Sequence, residues 1–188
     1  MPKQLNQWRT EHRNFHRLLD LLDREVAGLE EQDSPAYDLL ADIVYYLTHY
    51  PDSHHHLAED EFFDIVCRQE PKLVESVREL HQQHGVIATN GAQLHQLLES
   101  VMSGGIVPRK QLQEAARQYI DAYRAHMAYE EQLLFPLVEE LVVKSKLTVE
   151  PLSAQVTDPL FRDIPAKRFK ELHRQIAENV ECDCEIEI

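Results

Sequence analysis

The sequence predicts an all-α protein: an up-down-up-down four-helix bundle with a short C-terminal helical extension. Three observations carry that expectation. Only five glycines and nine prolines occur in 188 residues, too few turns for a sandwich or barrel. Apolar residues recur at helical spacing over long stretches. Chain breaks are confined to Glu31-Gln32-Asp33-Ser34-Pro35, Gln69-Glu70-Pro71 and Ser103-Gly104-Gly105-Ile106-Val107-Pro108, where prolines suit a first helical turn.

Taken in order, Leu18, Leu19, Leu21, Leu22, Val26 and Leu29 mark a first helix over 3–31. Leu39, Leu40, Ile43, Val44 and Leu47 open a second over 35–69, which Pro51 should kink or split because it deletes a hydrogen bond and crowds the preceding turn. Leu94, Leu97, Leu98 and Val101 run along a third over 71–103, and Leu133, Leu134, Leu137, Val138 and Leu141 close a fourth over 108–145. Short connections between long helices force antiparallel neighbours. Residues 1–145 therefore form the bundle and 146–188 an extension: Thr148–Pro165 loop-like, Ala166–Val180 a fifth helix, Glu181–Ile188 an acidic tail.

The net charge of −14 repels phosphates and anionic lipid, so neither nucleic acid nor a membrane is expected as a partner; it does not repel cations. The opening Met1-Pro2-Lys3-Gln4-Leu5-Asn6-Gln7-Trp8 has no apolar run of the kind that targets a chain for secretion, and no stretch approaches the roughly 20 apolar residues of a membrane-spanning helix. Three cysteines, Cys67, Cys182 and Cys184, make no disulfide framework and suit the reducing cytoplasm. There is no phosphate-binding glycine loop and no nucleophile elbow. What stands out is eleven histidines.

Their placement repeats. His55-His56-Leu57-Ala58-Glu59-Asp60 corresponds to His126-Met127-Ala128-Tyr129-Glu130-Glu131, each a His-x-x-x-Glu followed by a second acid and large apolar residues. Upstream, Glu11-His12 corresponds to Gln83-His84. The offset of 71 or 72 residues suggests two αα-hairpins related by a pseudo-two-fold axis. Residues i and i+4 share a helix face with Cβ atoms about 5–6 Å apart, so an imidazole and a carboxylate converge on one ion. Counted from each turn, the four histidines sit at the same level to within about one or two Å. His12, His55, Glu59, His84, His126 and Glu130 thus form a six-ligand candidate set for two metal ions, with bridging carboxylates. Burying such a cluster without metal costs several kcal/mol in desolvation, on the order quoted for unpaired buried polar groups.

At these residues the chain resembles the hemerythrin-like, HHE cation-binding domain family. The matching stretches are Glu11-His12-Arg13, His49 to Asp60, His84 followed by Gly91-Ala92-Gln93-Leu94, and His126 to Glu131 with Phe135-Pro136. The likeness covers about residues 5–145, and Asp158-Pro159-Leu160-Phe161 looks like the C-terminal extension of one bacterial branch. The resemblance implies a four-helix bundle holding a non-haem di-iron centre, with roles in oxygen binding, oxygen or redox sensing, iron handling or repair. Oxygen-carrying members have His-x-x-x-His on the third helix; here Leu80 and Ala88 flank His84 at that spacing, which favours the six-ligand bacterial type. His16, four residues after His12, is a candidate seventh ligand if the hairpins exchange roles.

The remaining histidines divide by position. His56, with Asp60 four residues on, competes with His55/Glu59 for one role, and the repeat favours His55. His49 is expected to bond freed backbone or a ligand near Pro51. His54 and His173 read as exposed, His81 as exposed or supporting, and His95 lies about 16 Å along the helix from His84, too far to share an ion. Tyr119 and Tyr123 lie seven and three residues before His126, on its face, either as core aromatics with satisfied hydroxyls or as partners of a metal-bound ligand. Cys67 reads as a small buried hydrophobe, and Cys182-x-Cys184 as either a soft-metal pair or part of a mobile tail.

Imidazole and carboxylate ligands fit two iron ions, with manganese or zinc as alternatives. Two carboxylates with four histidines give less negative charge than the four-glutamate sites of ferritin-like oxidases, which favours binding or sensing of oxygen, nitric oxide or peroxide. Iron oxidation and storage, or iron donation for repair, is the alternative, and a zinc-stabilised structural bundle the third; a protein partner is not legible. His126→Ala should lower the metal content of purified protein, whereas His173→Ala should leave it unchanged, as read by elemental analysis of untagged protein.

Overall fold

The computed structural model describes residues 3–31, 33–145, 158–161 and 164–183. Every long element is helical: α1 (Lys3–Ala27), α2 (Tyr37–Tyr50), α3 (His56–Gln69), α4 (Val74–Met102), α5 (Arg109–Tyr129), α6 (Phe135–Ser145) and α7 (Lys170–Asp183). A π-helical turn, Pro51–His55, joins α2 to α3, and another, Glu130–Leu134, joins α5 to α6. The chain thus forms four arms (α1, α2–α3, α4, α5–α6) and a C-terminal helix. Around the ring, α1 packs on α2, α2 on α4, α4 on α5 and α5 back on α1, the four-helix bundle that short connections require.

The boundaries differ from expectation for local reasons. The first helix ends at Ala27 rather than 31, because Gly28 follows and the chain closes with tighter bonds from Leu29 N–H to Val26 C=O (3.2 Å) and from Glu31 N–H to Gly28 C=O (3.1 Å). A 3₁₀ turn over Pro71–Leu73 precedes α4. Pro51 neither splits the second arm nor sharply breaks it. A π-turn opens at Pro51, and in it His56 N–H bonds Pro51 C=O. A second π-turn, closed by Phe135 N–H on Glu130 C=O, ends just ahead of Pro136; nothing in the sequence pattern announces it.

Apolar side chains form two clusters. The larger holds Phe15, Leu18, Leu22, Ile43, Tyr46, Leu47, Leu94, Tyr119 and Tyr123 among others; the smaller holds Leu5, Trp8, Phe62, Phe63, Leu80, Leu134 and Phe135. Leu160, Phe169, Leu172 and Ile176 belong to the larger one, so the described part of the extension is pinned to the bundle. Asp158 fastens it: one carboxylate oxygen accepts the N–H groups of Leu160 (2.8 Å) and Phe161 (2.9 Å), the other the Tyr46 hydroxyl (2.8 Å). The fifth helix begins at Lys170 after a 3₁₀ turn, Lys167–Phe169, rather than at 166. Most of the expected Thr148–Pro165 loop, and the tail from residue 184, lie outside the described residues. No described helix is long and apolar enough to cross a membrane.

One glycine governs helix spacing. A Cβ on Gly91 would lie 2.6 Å from Thr48 Cγ2 and 3.0 Å from the Tyr119 ring, whereas one on Gly85 meets nothing within 4 Å. Gly85→Ala should therefore stabilise by about 0.5–1 kcal/mol through helix propensity, while Gly91→Ala should destabilise by about 1–3 kcal/mol through overpacking; paired urea titrations read both.

Candidate metal centre

Between the two apolar clusters lies a polar one. Among the described residues, the buried polar or charged side chains are His12, His55, His56, Glu59, His84, His126 and Glu130. They resolve into two groups whose ligand atoms all lie within 4.8 Å of one another: His12, His55, Glu59 and Glu130, and His56, Glu59, His84 and His126. Glu59 belongs to both. An ion with donors about 2.1 Å away spans about 4.2 Å between opposite donors, so each group is sized for one cation. The four histidines expected at one level are brought together: His12 Nε2 lies 3.2 Å from His55 Nε2, and the His84 and His126 ring centres are 4.6 Å apart.

The helices place each ligand simply. His55 and Glu59, and His126 and Glu130, sit one turn apart, with Nε2 to carboxylate distances of 3.0 and 3.4 Å. Glu130 Oε2 also lies 3.2 Å from His12 Nε2, and Glu59 Oε2 3.6 Å from His84 Nε2, so both carboxylates reach from one group toward the other.

His56 is where the expectation needs correcting. His55 and His56 are not competitors: both are buried at the centre. Neighbouring positions on a helix point about 100° apart, and an arm of a four-helix bundle faces two neighbours at roughly that angle. His55 therefore meets α1, beside His12 and Glu11, while His56 stacks on His84 of α4 (4.4 Å) and lies edge-on to His126 of α5 (5.4 Å). The equivalent residue in the second hairpin is Met127, so the repeat concealed the role; the His-His doublet with Asp52 four residues earlier was the available signal.

The other candidates fall away. His16 is only partly buried and belongs to neither group. His49 is exposed, with its ring on Tyr45 (3.8 Å) and its Nδ1 donating to Tyr45 C=O (2.8 Å), away from the ligands. His54 is exposed as expected. His95 and His173 stand apart from both groups. Cys67 is half-buried against the smaller apolar cluster rather than enclosed. The Cys182-x-Cys184 pair falls outside the residues whose side chains are described.

What the sequence did not reveal is the outer layer of acceptors. Nδ1 of His12 donates to Glu131 (2.9 Å), of His55 to Glu11 (2.5 Å), of His56 to Asp52 (3.0 Å) and of His84 to Asp60 (2.8 Å); His126 Nδ1 lies 3.4 Å from the Gln83 amide oxygen. The repeat extends to this layer. Glu11 and Gln83, each just before a histidine, hold His55 and His126 of the following arm, and Asp60 and Glu131, each just after a glutamate, hold His84 and His12 of the next arm around the ring. Because a carboxylate only accepts, Nδ1 carries the proton and the neutral ring turns a lone pair inward at Nε2. Nε2 of His56, His84 and His126 and all four oxygens of Glu59 and Glu130 are buried without a hydrogen bond. Acceptors facing acceptors in a dry interior call for a cation, and the donor set fits one.

Electrostatics agree. Burial would raise Glu59, but the His55 charge and the close His12, His55 and His84 rings hold it well below the usual carboxylate range. Against the effect of burial, Glu59 and Glu11 lift His55 to about 8, and the neighbouring carboxylates Asp60 and Glu59 lift His84 to about 10. Burial pushes His56 down to about 4, and burial with the Glu59 charge pushes Glu130 up to about 7. Protons on some rings supply the positive charge that cations would replace.

The fold and the site define a class, helical bundles with buried histidine and glutamate groups between their arms that could hold metal ions. A family model for the hemerythrin HHE cation-binding domain matches residues 4–138 and again 75–181. The chain belongs to that family. No curated protein and no solved structure matches it.

Asp60→Ala, which strips His84 of its anchor, should weaken metal binding about tenfold to a hundredfold. Asp64→Ala, altering an exposed neighbour 3.9 Å from His81, should change it less than twofold; competition with a chelator measures both.

Proposed function

We propose that this chain is a cytoplasmic di-iron protein that binds or senses oxygen, nitric oxide or peroxide. The observation that carries the reading is the confinement of every buried histidine and carboxylate among the described residues to the two ligand groups. A helical bundle gains nothing in packing from seven such residues at its centre. His12 and His55 would hold one ion and His56, His84 and His126 the other, with Glu59 and Glu130 shared between them. Bound there, an iron pair supplies positions for a small ligand and a change of oxidation state. The chain's own part is to fix ring orientation through Glu11, Asp52, Asp60, Gln83 and Glu131, and to keep the centre dry. Trp8, Phe62, Phe63 and Phe135 pack as one aromatic wall on the smaller-cluster side, with Trp8 6.3 Å from the His55 ring and Phe135 5.7 Å from the His12 ring. Imidazole-rich ligation with two carboxylates supports ligand binding over iron oxidation and storage.

Anaerobic titration of metal-free protein with ferrous iron should saturate at about two ions per chain. At a hundredfold excess over Kd each ion should stabilise the fold by about 2.7 kcal/mol, so the pair should raise Tm by about 10–20 °C for a chain of this size. Admission of air should then give a persistent oxygenated or oxidised absorption band. Continuous turnover with iron accumulation would support the storage reading instead, and indifference to iron with tight zinc uptake the structural one.

A further inference from the structure

The two sides of the centre differ in one chemical respect. On one side lies the cluster of Leu5, Trp8, Phe62, Phe63 and Phe135. On the other side, Phe15 is joined by tyrosines. Tyr123 lies three residues before His126 on α5, its ring 5.8 Å from His56, 6.4 Å from His126 and 6.0 Å from Phe15. The side chain is wholly buried, and its hydroxyl has no hydrogen-bond partner. Tyr119, perpendicular to it at 5.7 Å, shares both properties, whereas Tyr46 bonds Asp158. An unsatisfied buried phenol is costly, and a core that needed only the ring would take phenylalanine. Burial, and after it the Tyr119 phenol and the charges of Asp52, Glu59 and Glu130, hold the Tyr123 hydroxyl well above its usual range; it is a fixed donor awaiting an acceptor. The histidines spend their Nδ1 protons on the outer acceptors, which leaves the Tyr123 hydroxyl as an unused donor beside His56 and His126.

We propose that Tyr123 donates a hydrogen bond to the small exogenous ligand, a diatomic molecule or small anion, that the centre takes up, and so sets which ligands are held. The inference rests on the di-iron reading above. Tyr119 acts behind it, touching Tyr123 rather than the histidines.

The test uses the full chain loaded with iron, and azide as the probe. Tyr123→Phe removes one oxygen and no packing, so it should fold, load about two ions per chain and melt no lower than the parent. Its azide affinity should fall about tenfold or more, the worth of a hydrogen bond to a charged partner. The infrared stretch of bound azide should shift in heavy water in the parent and not in Tyr123→Phe. Tyr119→Phe should change affinity less than about threefold and keep the isotope shift. An affinity for Tyr123→Phe within twofold of the parent, or an isotope shift that survives the substitution, overturns the proposal, as it would if the hydroxyl served only an internal water. A parent that loads iron but ignores azide also overturns it while leaving the metal site standing. A parent that takes up no iron overturns both readings.

Discussion

A cluster of acceptors at the middle of the bundle, with no protein donors to satisfy it, is the constraint on which the rest of the structure depends. Nε2 lone pairs and the oxygens of Glu59 and Glu130 converge in a space from which both apolar clusters exclude water. A protein interior tolerates this only where a positive charge completes it. The outer acceptors make the arrangement hard to escape. With Nδ1 engaged by Glu131, Glu11, Asp52 and Asp60, the rings are held with Nε2 turned toward the centre. The fold is organised around a cluster that could hold a charge from outside the polypeptide.

The centre is nearly symmetric, and its departures from symmetry are informative. Each hairpin contributes a histidine, a His-x-x-x-Glu and an acceptor for a ring of the other arm. The hairpins differ at several positions: His56 stands opposite Met127, Glu11 opposite Gln83, and Asp52 opposite Tyr123. Three imidazoles therefore surround one candidate ion and two the other. The aromatic surroundings are unequal as well, with Trp8, Phe62, Phe63 and Phe135 on one side and Tyr119 and Tyr123 on the other. Two ions so placed would not be chemically equivalent, as expected of a centre that takes up a small ligand at one of them.

Two prolines stand beside the ligand segments. Pro51 and Pro136 each remove an N–H that a regular α-helix needs, and each arm carries a π-turn next to its proline and its ligands. The turn before α3 keeps the arm continuous while re-aiming His55 and His56. Asp52, inside that turn, holds His56. Farther along the same arm, Tyr46 ties the extension to the bundle through Asp158.

Much of this protein was written in the order of its residues. Apolar spacing and the sparse glycines determined four helical arms, because a helix must bury one stripe and short connections leave only antiparallel packing. The internal repeat and equal turn-to-histidine distances determined that His12, His55, His84, His126, Glu59 and Glu130 share one level, since the rise per residue is constant. Tertiary structure alone decided the rest. Whether His56 faced the centre depended on the phase set by a π-turn and on which neighbours stood at either side of its arm. That Asp60 serves His84 rather than His56, and that His16 stays out, are facts of how arms rotate against one another, which no periodicity within a single helix encodes. The unpaired hydroxyl of Tyr123 belongs to the same class: a sequence names a donor, and only packing from four directions leaves it without an acceptor.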